Sequence, residues 1–327
     1  MKALKFLQKR LPPRPAVGNR GVPAPGIRIV EGKIIPNYGC ELNAVDHCNL
    51  ACNDCNHASP VSNKRWADPQ TVYRDFSILA KVFKPQQVKV LGGEPLLHPN
   101  LVEVIEAVKR SRICDDILVV TNGLLLPRMG DVFWQAVKHL EISIYPNPKL
   151  DHDTLEFCRK KAAEHGIHLN VVQFSEFRRT FSVPGFQDSN LARRVYQACK
   201  LAHVWGCYSI HEGYFYKCPQ SIYIPQMLGW PEDRYTADGI EIKDSPGFLE
   251  NLYCYLTSLE PLQSCRHCLD SHGKVRPITQ VRPKDWLAQH NEPAEALLDY
   301  GLLQKNEEER SVIKPDEIKT KIGRYST

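Results

Sequence analysis

An alternation of apolar segments with amphipathic helices over residues 39–172 limits the possible folds of this chain more than any other feature. Short apolar runs, each a predicted β-strand, are separated by stretches with the 3–4-residue apolar spacing of a helix. Strands and helices alternating at this spacing predict a parallel sheet, because each helix returns the chain to the starting edge. The predicted strands are 40–45, 88–91, 117–120, 140–144 and 168–172.

The intervening helices carry recognisable start and stop signals. Asp68 and Pro69 form an N-cap and first-turn pair, and Gly166 is suited to end the helix predicted over 152–165. Further helices are predicted over 101–108 and 130–138. This α/β pattern fits an open or closed barrel and also a doubly wound sheet. In each of these folds, functional groups collect at the C-terminal ends of the strands.

Size and composition narrow the class of protein. The 327 residues, 43% of them hydrophobic, suffice for one large domain or for a large and a small one. A net charge of +5 is mild and does not by itself indicate nucleic-acid binding. No apolar run has the length of a membrane span, and the N-terminal apolar stretch is too short for a signal-peptide core. We therefore expect a cytoplasmic protein, with a proline-rich extension over 1–36.

Three of the twelve cysteines lie within eight positions of the loop that follows the first predicted strand, HCNLACNDCN. So close a grouping in a reducing compartment indicates metal binding rather than disulfides. The thiolates of Cys48, Cys52 and Cys55 can bind three irons of a [4Fe–4S] cluster and leave the fourth iron open for a substrate or cofactor. A fragment of a zinc site is the alternative.

A second motif ends the next predicted strand, in VKVLGGEPLLHPN over 88–100. Gly92 and Gly93 permit close approach of the backbone, and Glu94 can accept a hydrogen bond from an ammonium group. A Gly-Gly turn after a strand is common on its own. Together with the cysteine loop, however, at consecutive strand ends and in this order, the motif resembles the radical S-adenosylmethionine (radical SAM) superfamily.

The resemblance implies a partial (β/α)6 TIM-like barrel over 37–190, whose cluster and bound S-adenosylmethionine generate a 5′-deoxyadenosyl radical. It also implies cofactor contacts at the ends of successive strands, from Gly92, Gly93, Glu94, Pro95, Asn122 and Ser143. One position departs from the family pattern. Asp54 stands before the third cysteine, where members usually have an aromatic residue on adenine, so His57 or main-chain atoms are candidates for that contact.

A looser series of cysteines follows and resembles the SPASM/twitch extension of the same superfamily. The resemblance implies a small domain over 191–275, with a β-hairpin in 207–218 and a second, auxiliary [4Fe–4S] cluster. Its implied ligands are Cys199, Cys218, Cys265 and Cys268. A structural zinc site is the alternative, and Cys207 could replace Cys199. Residues 229–247 are predicted as loop and 276–327 as a tail. From about 303 the tail is charged and poor in core residues, so we expect this part to be either mobile or docked.

The resemblance implies an enzyme that takes a hydrogen atom from a small polyol, sugar or aminocyclitol, leading to oxidation or epimerisation. A peptide maturase and a non-enzymatic Fe–S protein are the alternatives. Cys254 is a candidate hydrogen donor for epimerisation, or else a buried core thiol. The chemistry also implies an electron donor such as flavodoxin, and we expect a small-molecule substrate. The sequence contains no obvious nucleic-acid module, so we expect no nucleic-acid partner.

Overall fold

The computed structural model describes residues 26–231 and 234–311. Within these ranges the chain forms twelve β-strands, which are β1 (Arg28–Val30), β2 (Lys33–Ile35), β3 (Cys40–Val45), β4 (Val88–Gly92), β5 (Ile117–Thr121), β6 (His139–Ile144), β7 (His168–Gln173), β8 (Glu176–Arg178), β9 (Tyr208–His211), β10 (Tyr214–Tyr216), β11 (Gly239–Glu241) and β12 (Val275–Pro277).

The helices of the described residues are α1 (Pro69–Val82), α2 (Leu101–Ser111), α3 (Asp131–Ala136), α4 (His152–Glu164), α5 (Ser189–Gln197), α6 (Gln220–Met227), α7 (Phe248–Thr257), α8 (Pro283–Trp286), α9 (Ala294–Leu297) and α10 (Tyr300–Ser311). The predicted start of α1 is confirmed, since the Asp68 side chain accepts from Thr71 N at 2.8 Å and Pro69 is the first helical residue.

An eight-stranded sheet organises the molecule, in the order β11-β10-β9-β3-β4-β5-β6-β7. The six strands from β9 to β7 are parallel, whereas β10 and β11 add to the β9 edge in antiparallel fashion. The sequence-based prediction of alternating strands and helices in an α/β fold is therefore confirmed. All five predicted strands occur within one residue of their expected limits.

One face of the sheet carries the main core. Alternate strand residues such as Leu42, Val90 and Ile142 are almost fully buried against the apolar stripes of α1 to α4 and α7. Because successive side chains of a strand point to opposite faces, the intervening residues lie on the other face, which we call the polar face. Its members include Glu41, Asn43, Lys89, Glu141 and Asn170.

The predicted hairpin over 207–218 is present as β9 and β10, but it extends the main sheet instead of standing apart. Strand β9 pairs in parallel with β3, and the predicted loop over 229–247 contains a missed strand, β11, which pairs with β10. The main sheet thus contains strands from both sides of residue 190, the predicted end of the first domain. The division into domains at that point stays a prediction.

The structure describes part of each predicted terminal segment and shows how that part packs. Within the expected extension 1–36, β1 and β2 form an antiparallel pair, and Ile34 is fully buried in the main core. Within the expected tail, β12 pairs with β8, and Trp286 and Leu303 are buried. Long-range contacts order these segments despite their weak local patterns. The rest of both predictions, 1–25 and 312–327, lies outside the described residues.

None of the helices in the described ranges combines the length and the apolar character needed to cross a lipid bilayer.

Candidate functional site

The cysteine loop lies at the C-terminal end of β3, as predicted. Cys52 is buried, whereas Cys48 and Cys55 are half-buried. All three belong to one small apolar cluster, whose other members are Leu50, Leu124, Tyr145, Phe174, Phe177 and Ile278. The structure therefore brings the three predicted ligands together in a largely apolar environment.

A C-terminal segment holds the cysteine loop from outside. The Gln280 side chain donates from Nε2 to Cys52 Sγ at 3.2 Å and accepts from Ala51 N at 2.6 Å. Trp286 Nε1 donates to the backbone carbonyl of Cys52 at 2.9 Å, and Val281 N donates to that of Ala51 at 2.9 Å. Sequence reasoning missed these residues, because they lie more than 220 positions away in a segment expected to be a tail.

Asp54 is also bound by this C-terminal segment. Its carboxylate is buried, pairs with Arg276, and lies 4.0 Å from Arg179 Nε. The charged side chain at this position is therefore already paired with protein cations. His57, the other candidate for the adenine contact, packs edge-on against Tyr223 with 5.8 Å between ring centroids, and its Nε2 is buried without a hydrogen-bond partner.

The two glycines of the second motif are required by the approach of β4 to the end of β3. Gly92 has φ +136°, and a Cβ there would meet Val45 O at 2.1 Å. A Cβ on Gly93 would meet His47 O at 2.0 Å. Because neither glycine has a Cβ, Gly93 N can donate to Val45 O at 2.6 Å and Glu94 N can donate to His47 O at 3.0 Å. The glycines thus fix the start of the cysteine loop.

Glu94 links the ends of β4 and β5. The fully buried carboxylate accepts from Thr121 Oγ1 at 2.6 Å, Leu96 N at 3.0 Å and Asn122 N at 2.9 Å. Burial raises its pKa to about 7, although these three hydrogen bonds oppose the rise. A carboxylate has about four lone-pair directions, so about one is left for the predicted ammonium contact.

The remaining predicted cofactor residues lie at neighbouring strand ends. Asn122 Nδ2 donates to Asn49 Oδ1 at 2.7 Å and lies 3.8 Å from Cys48 Sγ, so the end of β5 touches the cysteine loop. Pro95 is buried and opens the short 3-10 turn after Glu94. Ser143, near the end of β6, is buried next to the side chain of Tyr145.

A buried ionic network, which the sequence analysis missed, lies where the cysteine loop begins. Asp46 Oδ2 accepts from Arg65 Nε at 2.6 Å and contacts His211 Nε2 at 3.2 Å, while Tyr223 donates to Oδ1 at 3.2 Å. Burial alone would raise the pKa of Asp46, but His211 and Arg65 together hold it well below its ordinary value. The network joins the end of β3 to β9 and α6.

Two of the three loop thiols, Cys48 and Cys52, have raised pKa values and favour the protonated form. Burial raises the pKa of Cys52 to about 11 and raises that of Cys48 still further. Metal binding would therefore have to displace protons, as is usual for thiolate ligands. No group of three or more Cys, His, Asp or Glu side chains in residues 26–231 and 234–311 has the arrangement of a single-ion metal site.

The four cysteines of the predicted second site line one small cavity, together with Tyr196, Gln220 and Asp270. Burial raises the pKa of all four thiols, to about 11 for Cys218. Cys207 does not line this cavity; it packs beside it and is close to Glu41 and Lys89. The structure thus groups Cys199, and not Cys207, with the other three.

Cys254 is not where the sequence-based hypothesis needs it. Its side chain is exposed on α7, whose buried residues Phe248, Leu252 and Leu256 face the main core. The Cys254 thiol therefore faces solvent and not the core side of α7. Neither hydrogen donation to a substrate in the site nor a buried core role fits this position.

The polar face presents hydrogen-bonding groups on the parallel strands of the main sheet. Lys89 Nζ lies 3.5 Å from Glu41 Oε1, and Asn170 Nδ2 donates to Glu141 Oε2 at 2.8 Å. Both amide atoms of Asn43 are buried without a hydrogen-bond partner, which is costly unless a ligand or water completes them. This face is suited to a small polar ligand.

Comparison with known proteins gives partial matches to curated sequences. No family model matches the chain. A GTP 3′,8-cyclase of Microcystis aeruginosa is 28% identical over 120 residues, which are 35% of this chain and 36% of that protein. A probable GTP 3′,8-cyclase of Methanocaldococcus jannaschii is 31% identical over 132 residues, which are 38% and 43% of the two chains. The matches therefore span less than half the length of these curated relatives.

Solved structures of low sequence identity give weaker likenesses. The structure of BtrN in complex with AdoMet and 2-DOIA has a TM-score of 0.38 at 14% identity and covers 69% of this chain and 82% of that one. Native anSMEcpe with bound AdoMet and Cp18Cys peptide has a TM-score of 0.39 at 11% identity, covering 84% and 96%.

Proposed function

Because this chain belongs to the radical SAM superfamily of enzymes, we propose that it cleaves S-adenosylmethionine and oxidises a small polyol, sugar or aminocyclitol. The observation that carries the proposal is the meeting of the cysteine loop and the Gly-Gly-Glu-Pro turn at the adjacent ends of β3 and β4. When bound to Cys48, Cys52 and Cys55, a reduced [4Fe–4S] cluster supplies one electron that breaks a carbon–sulfur bond of S-adenosylmethionine, giving methionine and a 5′-deoxyadenosyl radical.

The protein's own residues would prepare the cofactor site. The donor set fits the cluster, since three thiols share one apolar cluster and the Gln280 amide already donates to one sulfur. Glu94 keeps the ends of β4 and β5 together and has about one lone-pair direction left for the methionine ammonium. Asn122 and Ser143 are proposed to contact the ribose and carboxylate. An electron donor such as flavodoxin, in the cytoplasm, would reduce the cluster.

The polar face supports the choice of substrate. A polyol offers several hydroxyl groups, each able to donate and accept, and Asn43, Glu41 and Glu141 provide matching acceptors and donors. The curated relatives are named for GTP, a triphosphate, which cationic clusters usually bind. Here Lys89, a lysine on this face, lies beside Glu41, and Glu141 adds further negative charge, so we propose an uncharged or aminated polyol instead.

We propose oxidation rather than epimerisation as the outcome. Epimerisation needs a group that returns a hydrogen atom to the substrate radical, and Cys254, the candidate thiol donor, faces solvent on α7. In oxidation, the 5′-deoxyadenosyl radical takes a carbinol hydrogen, and the substrate radical then loses one electron and the hydroxyl proton to give a carbonyl. A second [4Fe–4S] cluster on Cys199, Cys218, Cys265 and Cys268 is proposed as the electron acceptor.

Anaerobic reconstitution tests the proposal. Wild-type protein with a chemical reductant should release 5′-deoxyadenosine and methionine, and a combined Cys48→Ala, Cys52→Ala, Cys55→Ala variant should release neither. The exposed Cys254→Ala change is the matched control and should leave both products unchanged. Full cleavage by the triple variant would overturn the whole proposal. A panel of aminocyclitols, sugars and GTP, each incubated in deuterated water, then identifies the substrate, and deuterium on the product carbon would exclude oxidation.

A further inference from the structure

Lys217 lies beside the four-cysteine cavity and is completely buried. It follows β10 directly and precedes Cys218 in sequence. Its Nζ donates to Tyr196 OH and to Ser258 O, each at 2.7 Å, and lies 5.4 Å from the centre of the Tyr196 ring. Tyr196 in turn lines the cavity. The ammonium group is thus anchored at the wall of the predicted second site.

The surroundings of this ammonium lack a negative partner. No carboxylate in residues 26–231 or 234–311 lies within salt-bridge distance of Lys217 Nζ, and its contacts are a phenol, a carbonyl and the ring of Tyr255 at 5.7 Å. A buried unpaired charge is expensive, and fully buried lysines are rare unless paired.

A second cation lies near residues that line this cavity, on another element. Arg310, on α10, carries a buried Nη1 with no hydrogen-bond partner and lies close to Cys199 and Tyr196. Helix α10 is held in place by Arg194 with Glu307, whose closest atoms are 2.8 Å apart. Two cations from separate elements therefore flank one four-thiol cavity.

We propose that Lys217 and Arg310 are the counter-charges of an anionic four-thiolate centre in this cavity, and that Lys217 raises its reduction potential. The proposal rests on the second cluster of the proposed function. Four thiolates make an iron–sulfur cluster net negative, and one-electron reduction adds a further negative charge. A fixed positive charge stabilises the reduced form more than the oxidised form. It therefore favours transfer of an electron from a substrate radical to this centre.

Substitutions at Lys217 can separate charge from packing. Lys217→Met removes the charge but keeps much of the apolar stem, and Lys217→Arg keeps the charge. The surface change Lys243→Met is the matched control, since Lys243 is exposed and pairs with Glu241. Each of these substitutions is made in the Cys48→Ala, Cys52→Ala, Cys55→Ala variant. This variant lacks the ligands of the first cluster, so the iron that is measured belongs to the four-cysteine centre. Iron and sulfide content and an EPR-monitored redox titration are then measured.

We expect Lys217→Met to lower the midpoint potential. At the potential where the parent centre is half reduced, its ratio of reduced to oxidised form should fall about tenfold or more. Lys217→Arg and Lys243→Met should stay within about twofold of the parent, and Arg310→Met should shift the potential in the same direction as Lys217→Met. Loss of iron from Lys217→Met but not from Lys217→Arg would also support the counter-charge role.

Three results would overturn the inference. Equal potentials in the parent and Lys217→Met at equal iron content would show that the charge does not act on the centre. Loss of iron from both Lys217 variants would indicate that the side chain serves packing alone. A parent background that contains zinc, or no metal, would contradict the second cluster itself. The metal content of the parent background therefore tests the second cluster separately, before any Lys217 variant is compared.

Discussion

The Gln280 side chain bridges two atoms of the cysteine loop, donating to Cys52 Sγ at 3.2 Å and accepting from Ala51 N at 2.6 Å. Hydrogen bonds to cluster sulfurs are among the features that tune such sites. This side chain therefore connects the C-terminal segment to the loop on which the proposed chemistry depends.

Gln280→Leu should weaken retention of the first cluster. The change removes the donor to Cys52 and leaves Ala51 N unpaired, at a cost of about 1–3 kcal/mol, so iron release to a chelator should accelerate about tenfold. Release is followed by absorbance on anaerobically reconstituted protein. Gln304→Leu, on the exposed side of α10, is the control. Equal release rates in the two variants would show that the bridge does not support the cluster.

Glu94 should make the metal-free protein less stable as the pH rises. Its folded pKa of about 7 lies above the ordinary value of 4.5, so the folded chain binds the proton more tightly than the unfolded chain. Its contribution to stability is present below pH 4.5 and is lost as the pH rises to about 7, by up to about 3 kcal/mol. Urea unfolding between pH 5 and 8 measures this slope.

The Glu94→Gln variant should lose this part of the pH slope, because the amide does not titrate. It should also bind S-adenosylmethionine about tenfold more weakly or worse if the ammonium contact exists. Glu103→Gln, exposed on α2, should keep the wild-type slope. A Glu94→Gln protein with the wild-type slope would mean that the carboxyl group titrates normally. An unchanged affinity for S-adenosylmethionine would exclude the ammonium contact, but it would not affect the conclusion that Glu94 links β4 and β5.

Asp46→Asn should destabilise the fold at neutral pH. The change keeps the side-chain size but leaves Arg65 without its buried counter-charge, a loss of about 3 kcal/mol. The pKa of Asp46 is lowered, so the stability it contributes is present above pH 3.8 and declines as the pH falls below that value. The difference from wild type should therefore shrink towards pH 3 in urea unfolding. Asp153→Asn, fully exposed, should show no difference at either pH.

Cys254 should be the first thiol to react in the folded protein. It is exposed, whereas Cys158 on α4 is fully buried. Brief alkylation followed by peptide mass mapping should label Cys254 and leave Cys158 unmodified until urea is added. Preferential labelling of another cysteine would contradict the orientation of α7.

The strands, helices and local motifs were predictable because their signals are short-range. Apolar periodicity reports which side of each strand or helix is buried, so five strands and the start of α1 could be read directly from the sequence. The cysteine loop and the Gly-Gly-Glu-Pro turn each occupy a few consecutive residues at strand ends. Their meeting follows from parallel pairing, since β3 and β4 end at the same edge of the sheet.

Other features depend on contacts that no local pattern encodes. Gln280 reaches Cys52 across 228 positions, and the segment around it shows no clear strand or helix periodicity in the sequence. The solvent-facing position of Cys254 depends on which side of α7 packs on the core. In the sequence, Lys217 is an ordinary lysine that follows a tyrosine-rich hairpin and precedes Cys218. The sequence by itself determined the α/β pattern and the two cysteine groups, because these are local. Only the tertiary structure decided what surrounds each group, because burial and pairing there come from elements that are distant in the chain.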